Sequence, residues 1–164
     1  MESKHFQKQE MQKTSIKGLW FFGLSGSGKT TSANFLKKHM FKQSLILDGD
    51  MIREHISKDL GYDIPDRKIQ ISRILGMCKI CINSNIFPIC SSVYMDTITL
   101  NSLNELNIKP IKIERDFDEL KTLNIYKHNS NVLGLDLEYE KTFDVTVLKN
   151  NDKEQLFRML RDFI

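Results

Sequence analysis

Gly23-Leu24-Ser25-Gly26-Ser27-Gly28-Lys29-Thr30 decides the fold. The apolar run Leu19-Trp20-Phe21-Phe22 precedes it, and Thr31-Ser32-Ala33-Asn34-Phe35-Leu36-Lys37-Lys38 follows it with the pattern of a helix. Strand, glycine-rich turn, Lys-Thr and helix, in that order, are the setting of a phosphate-binding loop. Gly23, Gly26 and Gly28 can take backbone angles that a side chain forbids, so successive N–H groups turn into one concavity and cradle phosphate oxygens. The helix that starts there adds its positive end. Lys29 brings a mobile cation to the β- and γ-phosphates, and the Thr30 hydroxyl is the expected Mg²⁺ ligand. Gly23, Ser25, Gly26, Ser27, Gly28, Lys29, Thr30 and Thr31 are thus the expected contacts to ATP. A glycine-rich hairpin with an incidental lysine would require neither this spacing nor these flanks.

The rest of the chain bounds the protein more loosely. Its 164 residues suit one domain with a proper core, and 40% hydrophobic with 27% charged residues is an ordinary globular balance. The net charge of +3 comes from dispersed Lys and Arg, unlike the clustered basic face of a nucleic-acid binder. No apolar run is long enough for a membrane span, and Met1–Lys17 is polar without the apolar stretch of a secretory signal. These features predict a cytoplasmic protein with an N-terminal arm over 1–17 and a single domain over 18–164. Cys78 and Cys81 sit three apart within a helical pattern, and no second Cys or His pair lies at zinc-ligand spacing. With Cys90 they are expected to be reduced core thiols.

Beyond the loop, alternating segments predict further strands at Ser44–Leu47, Ile86–Ser91, Ile108–Glu114 and Asp144–Leu148. Helices are expected over Met51–Leu60, from Asp66 to Asn83 with Ile69, Ile74, Cys78 and Ile82 inward, and over Asp96–Asn107 and Asp116–Leu123. A last helix, Asn151–Ile164, should turn Leu156, Phe157, Leu160 and Ile164 inward. Asn124–Lys141 is polar and lacks a clean period, which predicts a mobile segment over the site. The outcome is an α/β fold of the P-loop NTPase type, a parallel sheet of about five strands with helices on both faces. Ligands then bind beyond the carboxyl ends of the strands, where the loops at 23–30, 48–53, 91–96 and 115–141 should converge.

Leu47-Asp48-Gly49-Asp50 follows a buried strand, so both carboxylates emerge beside the phosphates. A kinase needs a carboxylate there, to hold Mg²⁺ through water or to accept the proton of the attacking hydroxyl. Asp50 could equally cap the helix beginning at Met51. With Arg53, Asp59-Leu60-Gly61-Tyr62, Asp66-Arg67, Arg115-Asp116, Gly134-Leu135-Asp136 and Tyr139-Glu140, the chain resembles the adenylylsulfate (APS) kinase family from about 19 to 148. Those enzymes use Mg-ATP to phosphorylate the ribose 3′-hydroxyl of adenosine 5′-phosphosulfate. The resemblance implies catalytic roles for Lys29, Asp48 and Asp50, with Asp50 favoured as base. It implies that Arg53 and Arg67 grip the anionic end of the acceptor by forked hydrogen bonds. It places Tyr62 where the family stacks a Phe on the acceptor base, Gln70 where it has an Asn, Ser92 and Tyr94 at its Ser-Pro-Tyr loop, and Val132 at its second base-stacking Phe. It also implies a homodimer, beside the expectation from charge and hydropathy of no membrane or nucleic-acid partner. Arg73 stays between a site residue and a solvated helix face.

The departures cluster at the acceptor pocket: Ser72 replaces an arginine, Val93 the loop proline, Met95 an arginine and Val132 an aromatic, while Asp118 and Glu119 stand in the register of the lid's Lys-Gly. Losing one stacking face costs a bound base roughly 1–3 kcal/mol. A retained ATP side with an altered acceptor pocket suggests a cytidine diphosphoramidate kinase of capsule biosynthesis, an APS-kinase-like variant acting on a smaller base. The alternatives are an adenylylsulfate kinase and, more remotely, a non-catalytic ATP-binding protein. A GTPase switch lacks its guanine-specifying Asn/Thr-Lys-x-Asp.

Overall fold

The computed structural model describes residues 15–137 and 142–164. Residues 1–14 of the expected arm and the Tyr139-Glu140 motif lie outside the described residues. Five parallel strands form one sheet: β1 (Gly18–Phe22), β2 (Ser44–Asp48), β3 (Phe87–Ser92), β4 (Ile108–Glu114) and β5 (Thr146–Lys149). Their order is β2-β3-β1-β4-β5. The central strand β1 carries the phosphate loop at its carboxyl end and is buried at every residue, as a strand covered on both faces must be.

Alternation along β1 divides the core. Leu19 and Phe21 face α1 (Lys29–His39) and α7 (Lys153–Leu160), packing with Ala33, Leu36, Leu156 and Leu160. Trp20 and Phe22 face the other way, toward α3 (Ile64–Asn83) and α4 (Thr97–Glu105), with Ile74, Cys78 and Leu103. The remaining helices are short: α2 (Gly49–His55), α5 (Phe117–Leu120) and α6 (Asn124–His128). Asn85 and Asn107, at φ 57° and 54°, take the left-handed turns that end α3 and α4. All three cysteines are free and buried, with Cys78 Sγ 3.1 Å from Cys90 Sγ.

Several boundaries differ from the sequence expectation, each for a local reason. Helix α3 starts at Ile64, because the Asp63 side chain accepts from the Asp66 N–H and Pro65 fits the first turn, where no donor is needed. Ile69 points outward at 45% exposure because it lies about 140° around the helix from Ile74, while Gln70 and Ile71 point inward. Helix α2 is capped by Asp48, not Asp50. Strand β5 begins two residues late, and Ile164 is exposed at the end of α7's trailing turn. The described part of the segment 124–141, expected to be polar and mobile, holds the short helix α6, and its Tyr126 and Val132 join Leu120 in a small buried cluster.

Gly23 sits at φ 146°, and a Cβ there would lie 2.3 Å from the Ile113 carbonyl oxygen. Gly23→Ala should therefore lower stability by roughly 1–3 kcal/mol in chemical denaturation; a midpoint equal to the parent's would contradict this placement of β1 against β4.

Candidate active site

The predicted loops converge on one cavity of about 740 Å³ at the carboxyl ends of the strands, lined from 25–31, 48–53, 91–94 and 123–133. The phosphate loop forms one wall. Gly28, at φ 107°, precedes α1 without a side-chain cap, which leaves the first N–H groups of the helix open to an anion. Lys29 lies nine-tenths buried and donates from Nζ to the Leu24 carbonyl (2.9 Å). Burial lowers its pKa from 10.5 to about 8, against the opposing pull of Asp50 and Asp48.

The two aspartates differ sharply. Asp48 accepts from Thr30 Oγ1 (2.8 Å) and Ser91 Oγ (2.7 Å) on one oxygen. Its other oxygen accepts from the N–H groups of Asp50 (3.0 Å) and Met51 (3.4 Å). Burial alone would raise its pKa, but the hydrogen bonds from Ser91, Thr30 and the two amides outweigh burial and hold it below the usual carboxylate range. Asp50 is exposed to the cavity, and its carboxylate has no hydrogen-bond partner among the described residues. It is an electrostatic neighbour of both Lys29 and Arg67.

Arg53, Tyr62 and Arg67 form the opposite wall. The Arg53 guanidinium lies 4.6 Å from the Tyr62 ring centroid and that of Arg67 lies 5.8 Å from it. Arg53 donates to the Gly61 and Leu60 carbonyls. Arg67 donates to the Tyr62 carbonyl (2.7 Å) and to the Asn131 carbonyl (2.9 Å). Burial, and then the Arg53 charge, lower the Arg67 pKa. Two cations facing one cavity make a site that an anion relieves. Gln70 donates to the Gly49 carbonyl (3.0 Å), while its buried Oε1 has no partner.

Not every expected residue is free to meet a ligand. The Ser92 hydroxyl is engaged, accepting from Trp20 Nε1 (2.8 Å) and donating to the Tyr94 carbonyl (2.9 Å). Arg73 pairs through both terminal nitrogens with Asp59 at 2.7 Å, outside the cavity. Ser72 is exposed on α3, and Met95 is buried in the core at 2% exposure. Val132 borders the cavity but packs beside Leu120 and Tyr126 at 6% exposure. Asp118 and Glu119 belong to α5, with Asp118 paired to Lys121 and Glu119 to Arg115. The run that reaches the phosphate loop lies further on. Leu123 stands over Gly26, and Tyr126 donates its hydroxyl to the Ser25 carbonyl (2.8 Å).

Ser91, Tyr126 and Asn150 are site residues that sequence patterning does not find. Asn150 follows β5 and donates from Nδ2 to the Ser27 carbonyl (2.7 Å). A Cβ on Gly28 would lie 2.4 Å from that nitrogen, so the glycine makes room for the brace. The one available signal is position: each strand's first residues past its carboxyl end should line the site.

Residues 16–97 match the family model described as adenylylsulphate kinase. A probable adenylyl-sulfate kinase of Bacillus subtilis is 32% identical over 153 residues, covering 84% of this chain and 77% of the relative. The adenylyl-sulfate kinase of Buchnera aphidicola from Acyrthosiphon pisum is 35% identical, covering 83% and 77%. A Bacillus velezensis adenylyl-sulfate kinase is 39% identical over 93 residues, which span 46% of its own length. The fold matches the Mycobacterium tuberculosis APS kinase solved with AMPPNP and APS, with a TM-score of 0.78 at 16% identity, covering 90% of this chain and 95% of that one.

These relatives overturn the expectation of a cytidine diphosphoramidate kinase in capsule biosynthesis. Part of its structural basis also falls away. Ser72 and Met95 do not line the cavity, and the Val132 side chain is packed in a cluster.

Burial of Lys29 has a measurable consequence. Below about pH 8 the ammonium is charged in both folded and unfolded chains, and its burial penalty is borne in full. Between about 8 and 10.5 the folded chain loses the proton first, so nucleotide-free protein gains stability as pH rises through that window. Lys29→Met should stabilise the nucleotide-free protein by roughly 1–3 kcal/mol at pH 7, with the gain shrinking toward pH 10. Thermal melts showing no gain at pH 7 would contradict this. Asn150→Ala should raise the KM for ATP roughly tenfold with little change in kcat; an unaltered KM would show that the brace is idle.

Proposed function

The chain belongs to the adenylylsulfate kinase family, P-loop kinases that transfer phosphate from ATP to an alcohol, and on that premise we propose that it phosphorylates the ribose 3′-hydroxyl of adenylylsulfate. The observation that carries this reading is the unpartnered Asp50 carboxylate, which opens to the cavity that Lys29 shares with Arg53 and Arg67. A phosphate donor on one side and a doubly cationic wall on the other leave the acceptor hydroxyl to meet that carboxylate.

Lys29 and the amides of Gly26 to Thr30 hold the β- and γ-phosphates of ATP and neutralise charge as it develops. Thr30 would hold Mg²⁺. Its hydroxyl hydrogen is committed to Asp48, which leaves its lone pairs for a hard cation. When bound, that ion would supply positive charge that neutralises the donor phosphates. No group of three His, Cys, Asp or Glu side chains among the described residues forms a cage, as suits an ion held partly by the nucleotide. Asp50 accepts the proton of the 3′-hydroxyl. Arg53 and Arg67 hold the phosphosulfate, and Tyr62 supports the adenine. No helix among the described residues is long and apolar enough to cross a membrane.

The test is ADP formation with adenylylsulfate against AMP, which lacks the sulfate, together with identification of the 3′-phosphorylated product. Turnover should require the sulfate. Asp50→Asn should lower kcat by roughly 10²–10⁴-fold with the KM for ATP nearly unchanged. ATP binding without any product from adenylylsulfate would favour a non-catalytic protein and refute the proposal.

A further inference from the structure

The peptide that joins Gly49 to Asp50 is held at both ends. Its N–H, that of Asp50, donates to Asp48 Oδ1 (3.0 Å), and its carbonyl, that of Gly49, accepts from Gln70 Nε2 (3.0 Å). Strand β3 packs close behind, so that a Cβ on Gly49 would lie 3.0 Å from the Ser91 carbonyl oxygen. Gln70 reaches this peptide from α3, one turn after Arg67 on the same side of that helix. One amide side chain thus ties the segment bearing Asp50 to the helix bearing Arg67.

Gln70 weakens the core in order to do so. It is 4% exposed, and its buried Oε1 has no hydrogen-bond partner. An apolar side chain of similar length would leave nothing unsatisfied there, because Gly49 opens α2 and its carbonyl keeps a place in the helix ladder. A buried amide that packing does not require points to what it holds. With Nε2 engaged and Oε1 closed off from the cavity, the side chain is not placed as a ligand contact.

We propose that Gln70 is a positioning residue for phosphoryl transfer: by holding the Gly49 carbonyl it fixes the Asp50 carboxylate against the Arg67 side of the cavity. The effect on transfer rests on the kinase reading of Asp50 as proton acceptor; the hold on the turn does not. Without the hold, the Gly49–Asp50 peptide can swing about its remaining bond to Asp48. Asp50 then spends time turned away from the acceptor hydroxyl, while the phosphate loop, Arg53 and Arg67 keep their places. The loss therefore falls on kcat and spares the binding of both nucleotides.

The test is Gln70→Met in the full chain, an unbranched side chain of similar length with no amide, with Gln70→Leu as a second variant. In transfer from ATP to adenylylsulfate, kcat should fall roughly 10–100-fold, with the KM for each nucleotide nearly unchanged. On an Asp50→Asn background the same substitution should bring no further loss. Both variants should melt no lower than the parent, the reverse of what a purely structural glutamine predicts. Amide hydrogen exchange at Asp50, read by NMR without nucleotide, should quicken roughly fivefold as the turn opens more often. A raised KM for adenylylsulfate with kcat intact makes Gln70 a substrate contact and overturns the proposal, as does a full additional loss on the Asp50→Asn background. A lowered melting point with kcat intact makes the residue structural only and overturns it too. Exchange needs no turnover, so an unchanged rate at Asp50 overturns the hold whether or not the parent phosphorylates adenylylsulfate.

Discussion

Four hydrogen bonds converge on the Asp48 carboxylate, and the geometry of the site depends on them. Thr30 comes from the first turn of α1, Ser91 from β3, and the Asp50 and Met51 amides from the first turn of α2. One buried anion therefore ties together two neighbouring strand ends and two helix starts. An uncompensated carboxylate in that position would be costly; four donors hold it ionised below its usual range. The same bonds fix the direction in which the backbone leaves β2, and so place Asp50 in the cavity with its own carboxylate unspent.

The division of labour follows from this. A carboxylate with all its near donors supplied is a poor proton acceptor and a good brace. The carboxylate two residues further on, exposed to the cavity, is the one proposed to take the proton of the acceptor hydroxyl. On the acceptor side Arg67 spans from α3 to the Asn131 carbonyl, and Tyr126 spans from α6 to the Ser25 carbonyl. The 117–137 segment is thereby fastened to both walls of the cavity. Asn150 adds a third support from behind the loop. The phosphate loop is held at Ser25 and Ser27 by side chains from two separate parts of the chain, and at Leu24 by its own Lys29.

Much of this is legible in the sequence where the information is local. The strand–loop–helix at 18–39 needs only the glycines, the apolar run and the Lys-Thr pair. The parallel sheet follows from alternating segments. What sequence patterning misses is set by contacts across the fold. Asp48 and Asp50 are the same residue type two apart, and what sets them apart is partly the Ser91 hydroxyl, 43 residues away, which reaches only Asp48. Ser91 and Ser92 are adjacent, yet strand alternation turns one to Asp48 and the other to Trp20. A helix of five residues is too short to show a period, so α6 looks like part of a polar loop, whereas α5 falls within the helix expected over 116–123. Reading the acceptor from lost motif residues failed because Ser72 and Met95 do not face the cavity, which register alone cannot reveal.

The central claim is that Asp48 braces the site while Asp50 meets the acceptor. A crystal structure with a non-hydrolysable ATP analogue and adenylylsulfate measures it directly. The ribose 3′-hydroxyl should lie within hydrogen-bond reach of an Asp50 oxygen, with the sulfate between Arg53 and Arg67 and with Asp48 still bridging Thr30 and Ser91. A 3′-hydroxyl on Asp48, or a nucleotide bound away from the Arg53–Tyr62–Arg67 wall, would contradict the account.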